Sequence, residues 1–342
     1  MSVDVTTALL CWYAVDKRQL PWRAEPGESA DPYRVWLSEI MLQQTTVAAV
    51  KPYYRSFLAR WPTLQALAEA EEAEVLAAWA GLGYYSRARN LHACARVVVA
   101  DHDGRLPDRE AALRRLPGIG AYTAAAIAAI AYGRKAAPVD ANIERVVARL
   151  HRVAEPLPRA RRAIGALAGA MVPDDAPGDF AQALMDLGSR ICTPRAPRCE
   201  QCPIRSYCQA FAAGDQEAYP VKPKRKARPS REGIAYWLEH DGQVLLVRRP
   251  PRGLLGGMLA LPTDRPPLDL DWQDAGAVSH VFTHFALQLR VLCATAGKRV
   301  EGHWHPVSRL GEAGLPTLFV KAVALGQAWR GASAAAPMDR AA

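Results

Sequence analysis

Residues 116–133 read LPGIGAYTAAAIAAIAYG. Two glycines, Gly118 and Gly120, flank a single isoleucine and give way to an alanine-rich run free of proline. Such a pattern makes a tight turn between two helices, because glycine reaches backbone angles closed to other residues. It is the sequence form of a helix–hairpin–helix. Its backbone N–H groups would face outward at the N-terminus of the next helix, where an anion is favoured. Taken alone, the pattern serves an ordinary helix connection as well as a phosphate grip.

The hairpin sits in a long helical stretch. From residue 5 to about 212, apolar residues recur at spacings of three and four, as in Leu64, Leu67, Val75, Leu76 and Trp79. Residues 220–231, PVKPKRKARPSR, then combine three prolines with six Lys or Arg. Proline denies this stretch a helix and like charges extend it, which makes it a linker. Strand-like runs follow: Ile234–Leu238, a turn at Asp241-Gly242, Val244–Val247 and residues 286–296, with a late amphipathic stretch over 315–329. The expected organisation is multidomain. It comprises an all-α domain over 1–219, a basic linker over 220–232, an α+β domain over 233–331 and a disordered tail over 332–342.

A net charge of +9 fits a polyanionic partner as well as a merely basic surface. No apolar run is long enough for a membrane span. The N-terminus lacks a secretory n-region, so a cytoplasmic address is expected.

Three further features carry chemistry. Four of the seven cysteines, Cys192, Cys199, Cys202 and Cys208, fall within one 17-residue loop stiffened by Pro194, Pro197 and Pro203. Four thiolates so close can surround one metal centre, and the S4 set suits zinc and iron–sulfur alike. Asp140, in Pro138-Val139-Asp140-Ala141-Asn142, stands before a helix, where it serves as an N-cap or as a carboxylate held at the positive helix end. Glu39 lies in Trp36-Leu37-Ser38-Glu39-Ile40-Met41-Leu42. It either meets an arginine or is desolvated, and desolvation would raise its pKa toward that of a general acid working at neutral pH.

In combination with LPWR (20–23), GLGYYSRARNL (81–91), DFAQALMDLGSRICTPRAPRCEQCPIRSYC (179–208), RRPPRGLLGGMLALP (248–262) and HVFTHFALQL (280–289), these motifs resemble the helix–hairpin–helix glycosylase superfamily. The MutY-type adenine DNA glycosylases are the most similar branch. The resemblance implies a [4Fe–4S] cluster on the four cysteines and a C-terminal Nudix-like domain that recognises 8-oxoguanine. It also implies double-stranded DNA carrying A:8-oxoG or A:G mispairs as partner, bound by a monomer near the nucleoid.

The resemblance also gives residues their roles. Glu39 matches the general acid that protonates an adenine flipped out of the duplex, and Asp140 the carboxylate that stabilises the oxocarbenium-like sugar. Tyr122 and Asn142 match residues lining that site. Arg18, Trp22, Arg23 and Gln182 match the adenine pocket, and Gln44 and Tyr84 the side chains that wedge into the duplex. Gly118 and Gly120 match the phosphate-gripping hairpin. Phe282, Thr283 and His284 match the 8-oxoguanine loop, with Thr in place of Ser.

Endonuclease III-like pyrimidine glycosylases carry a catalytic lysine where this chain has Tyr122, so the resemblance implies a monofunctional enzyme. A non-catalytic iron–sulfur DNA-binding module is the reading from another class. Two departures stand out: Ala141 replaces a common glycine, and Leu255 a common tryptophan.

Overall fold

In a computed structural model the chain divides into two compact units, Met1–Lys224 and Arg225–Ala342. The structure describes residues 4–24, 30–223, 229–250, 253–282 and 284–335.

The first unit is helical and has two apolar cores. One is built by α2 (Pro32–Leu42), α3 (Val47–Arg60), α4 (Leu64–Glu69), α5 (Glu72–Ala78), α6 (Ser86–Asp101), α7 (Glu110–Leu113) and α8 (Ala121–Tyr132). The other is built by α1 (Val5–Asp16), α9 (Ala141–Leu150), α10 (Arg161–Ala170), α11 (Pro177–Arg190) and α12 (Gln209–Ala212).

Local chemistry fixes the helix starts. Asp31 caps α2 by accepting from Tyr33 N and Arg34 N at 2.8 and 3.1 Å, with Pro32 in the first turn. Asp140 caps α9 in the same way. Helix α8 is apolar on every side and buried from Thr123 to Ala129, as a helix between two layers must be. It joins the two cores by packing on α2 and on α11.

The second unit is a mixed sheet. Its strands are β1 (Ser230–His240), β2 (Gln243–Arg248), β3 (Leu259–Ala260), β4 (Gln273–Val281), β5 (Ala286–Thr295) and β6 (His303–Pro306), and α13 (Thr317–Ala335) packs against it. The order is β3-β2-β1-β5-β4, with β6 on β2. β1 and β2 form a hairpin around Asp241-Gly242, and β1 runs parallel to β5 in a register from Ser230↔Ala286 to Glu239↔Thr295.

Three expected boundaries change. Residues 230–232 belong to a strand rather than to the linker, because their backbone pairs with β5. Val221 accepts from Leu157 N at 2.9 Å and so lies on the helical unit. Helix α13 continues to Ala335, past the expected end at Gly331. The basic stretch 224–228 lies outside the described residues. Among the described residues, no helix is long and apolar enough to cross a membrane.

Candidate active site

A cavity of about 570 Å³ opens between the two helical cores. It takes Glu39 from α2, Tyr122 from the start of α8, Asp140 and Asn142 from the start of α9, and Gln182, Met185 and Ser189 from α11. Arg18, Trp22 and Arg23 from the loop after α1 complete the wall, with Gln44 at the rim. The four catalytic candidates, Glu39, Asp140, Tyr122 and Asn142, therefore converge with the four pocket candidates of the helical unit.

Glu39 is 6% exposed. Burial pushes its pKa up to about 7 against an opposing hydrogen bond from Tyr122, with a smaller upward push from the negative charge of Asp140 and a smaller downward one from Arg23. A carboxyl with this pKa holds its proton part of the time at neutral pH, as a general acid must. Burial and the nearby Glu39 and Asp140 charges raise Tyr122 well above the usual phenol value, so its hydroxyl stays protonated.

Asp140 is held by hydrogen bonds. One oxygen accepts from Asn142 N (2.9 Å) and Ile143 N (2.7 Å), and the other from Asn142 Nδ2 (2.9 Å). Three donors at a helix N-terminus therefore fix both oxygens of the side chain. One buried carboxyl and one N-capping carboxylate thus share the cavity, and the N-cap and the site residue are the same side chain.

Ala141 is the first residue of α9 with ordinary helical backbone, so the missing glycine costs no strain there. Gly188 of α11 explains how close the two helices come. A Cβ at Gly188 would lie 2.7 Å from the Asn142 Cβ, so only glycine lets α11 press on the turn that carries Asp140.

Several functional side chains carry no flag in the sequence. Asp186 has a fully buried side chain. It receives Arg23 through two bonds of 2.7 Å and Arg18 through Nε at 2.6 Å and its backbone N at 3.0 Å. Burial alone would raise the Asp186 pKa, but the two arginines hold it below the usual carboxylate value. Asp186 thereby fixes both arginines of the pocket wall. Its one sequence signal is its place four residues after Gln182, on the same face of α11.

Arg145, on α9, donates to Asn142 Oδ1 (3.0 Å), Gly188 O (2.6 Å) and Cys192 O (2.7 Å). Arg149, one turn on, donates to Cys192 Sγ (3.2 Å) and to the Thr193 and Pro194 carbonyls.

The four cysteines line one small cavity with Arg149, Ile191, Arg205, Phe211 and Gln216. Among the described residues, no three His, Cys, Asp or Glu side chains converge as ligands of a single ion. The four cysteines line one void, a donor set that fits a polynuclear cluster. The Gln216 Oε1 is buried there without a partner.

The hairpin glycine Gly118 takes φ +73°, and a Cβ there would lie 2.7 Å from the Asn90 Cβ. Gly120 is the N-cap of α8 and has open space beside it. Tyr84 projects 54% exposed.

In the second unit, the Phe282 ring meets the His280 ring edge-on at 4.6 Å and lies tilted 4.9 Å from Phe285, with Arg231 4.3 Å over Phe285. His284 is exposed beside them, and Thr283 lies outside the described residues.

Residues 37–166 match the HhH-GPD superfamily of base excision DNA repair proteins, and residues 192–208 the iron–sulfur binding domain of endonuclease III. Residues 233–325 match the NUDIX domain. The chain is 38% identical over 308 residues to the adenine DNA glycosylase of Homo sapiens, covering 75% of this chain but 56% of that protein. It is 41% identical over 274 residues to that of Mycobacterium tuberculosis, covering 78% and 83%. Among solved structures, a thermostable thymine-DNA glycosylase superposes with a TM-score of 0.55 at 34% identity, covering 61% of this chain and 95% of that one.

Proposed function

The chain belongs to the adenine DNA glycosylase family, and on that premise we propose that it hydrolyses the N-glycosidic bond of adenine mispaired with 8-oxoguanine or guanine in duplex DNA. The observation that carries this reading is the pair of carboxyl groups on one cavity, one lifted to about 7 by burial and one capping a helix.

In this mechanism the adenine leaves the stack and enters the cavity, since its glycosidic bond is unreachable in the duplex. Glu39 donates its proton to the adenine ring, so the base departs neutral. Asp140 stands against the positive charge that grows on the sugar, and water completes the hydrolysis. Arg18, Trp22, Arg23 and Gln182 hold the base. Gln44 and Tyr84 fill the space it vacates, and the hairpin at Gly118 and Gly120 grips phosphate.

Cys192, Cys199, Cys202 and Cys208 hold the [4Fe–4S] cluster, which supplies a covalent cross-link to the loop and no step of the hydrolysis. Arg145 and Arg149 tie that loop to α9. Phe282 and His284 read the opposing 8-oxoguanine, and one monomer serves one lesion in the bacterial cytoplasm.

Among the described residues that line the cavity there is no lysine, which supports hydrolysis without Schiff-base strand cleavage. A single-turnover assay on a labelled duplex with adenine opposite 8-oxoguanine tests both halves. Strand breakage only after alkali is expected. Breakage without alkali would indicate a lyase, and no release from cluster-loaded protein would point to another target base or to binding alone.

A further inference from the structure

Two of the residues other than glycine that adopt left-handed backbone are Gln44, at the cavity rim with φ +56°, and Tyr84, on the loop before α6 with φ +50°. L-residues hold such angles only where their surroundings impose them. The two sit on separate loops, one after α2 and one before α6, and one side chain reaches both.

Arg87, on α6, donates through Nη2 to Thr45 Oγ1 (3.1 Å), Leu82 O (3.1 Å) and Gly83 O (3.3 Å). Through Nη1 it donates to Ile40 O (3.1 Å) and Met41 O (3.0 Å). Its guanidinium also lies 5.2 Å from the Trp79 ring and 5.6 Å from the Tyr84 ring.

The acceptors on α2 are telling. Ile40 and Met41 belong to its last turn, whose carbonyls have no partner within the helix, and a cation there also meets the negative helix end. Ile40 directly follows Glu39. Arg87 is itself buried, and among the described residues the acceptors it meets are uncharged oxygens. A buried cation without a carboxylate is costly to keep. Its planar fork of donors spans three segments at once, as a lysine ammonium cannot.

We infer that Arg87 is a positioning residue that joins the Gln44 loop, the Tyr84 loop and the helix carrying Glu39 into one mechanical unit. Force from the duplex on either wedge residue is then carried to the acid that must meet the extruded base. Insertion and alignment become a single event. The inference rests on the wedge roles proposed above for Gln44 and Tyr84.

The test uses full-length, cluster-loaded protein with two matched duplexes, one carrying the target adenine for the release rate and one carrying 2-aminopurine in its place, whose fluorescence rises when the base leaves the stack. Arg87→Lys should keep the cluster absorbance and bind duplex within about threefold of wild type. It should lose about tenfold or more in the single-turnover rate of adenine release at saturating protein. The fluorescence rise should shrink with it. Combined with Tyr84→Ala, the losses should fall short of multiplying, because the loop is already uncoupled.

Thr45→Val, which removes one acceptor, should move rate and fluorescence the same way by about threefold, and it carries the test alone if Arg87→Lys fails to fold. Wild-type rate and fluorescence in both variants, or losses that multiply fully, would overturn the inference. Fluorescence measured in a Glu39→Gln background separates it from the proposed chemistry. If wild type releases no adenine but Arg87→Lys still abolishes the rise, the function falls and the positioning role stands. No rise even with wild-type Arg87 would sink the wedge reading and this inference together.

Discussion

The Glu39 carboxyl has an ordinary value of 4.5 and is moved by burial to about 7 in the folded protein. Between those values the folded state keeps a proton that the unfolded state has lost. The stability this group allows is therefore complete below about pH 4.5 and is lost as pH rises through 7, by up to about 3 kcal/mol. Glu39→Gln mimics the protonated acid and cannot ionise. Its melting temperature should exceed that of wild type at pH 8 and match it near pH 4.5. An equal difference at both pH values would mean that Glu39 is not the buried acid described here. Asp140 and Glu39 were both legible as residues, since one precedes a helix and the other is set among apolar side chains. Asp186 was not: its partners Arg18 and Arg23 are more than 160 positions away, and a single helix period cannot show which charge a buried aspartate meets.

Elements carry the geometry between those residues. The helical pattern and the glycine hairpin could be read from periodicity, whereas the closeness of α9 and α11 could not. It depends on Gly188, which stands mid-helix where sequence reasoning expects only a loss of stability. Gly188→Ala gains helix propensity but drives a Cβ into Asn142. The net cost should be about 1–3 kcal/mol in denaturant unfolding, as for other overpacked sites. Base release should fall more than duplex binding, because the turn under strain carries Asp140. Unchanged unfolding and unchanged release would show that the helices part without effect. The start of β1 illustrates the same limit. A basic, proline-bearing stretch reads as linker, yet Ser230 and Arg231 pair with a strand more than 50 residues on, a contact that local composition cannot register.

At the scale of the molecule, the candidate features fall in two units. The helical unit holds the cavity, the hairpin and the cysteine loop, and the second holds the aromatic group around Phe282. If the second unit reads the opposing base, Phe282→Ala with His284→Ala should reduce the preference for 8-oxoguanine over guanine by about tenfold or more. The rate on A:G should change little. An equal loss on both substrates would assign that unit a general binding role instead.

In the proposed reaction, Glu39 delivers the proton that releases adenine. Single-turnover release by Glu39→Gln, measured beside its affinity for the same A:8-oxoguanine duplex, tests it most directly. Release should disappear while affinity stays close to wild type. Release at a rate near wild type in Glu39→Gln would contradict it.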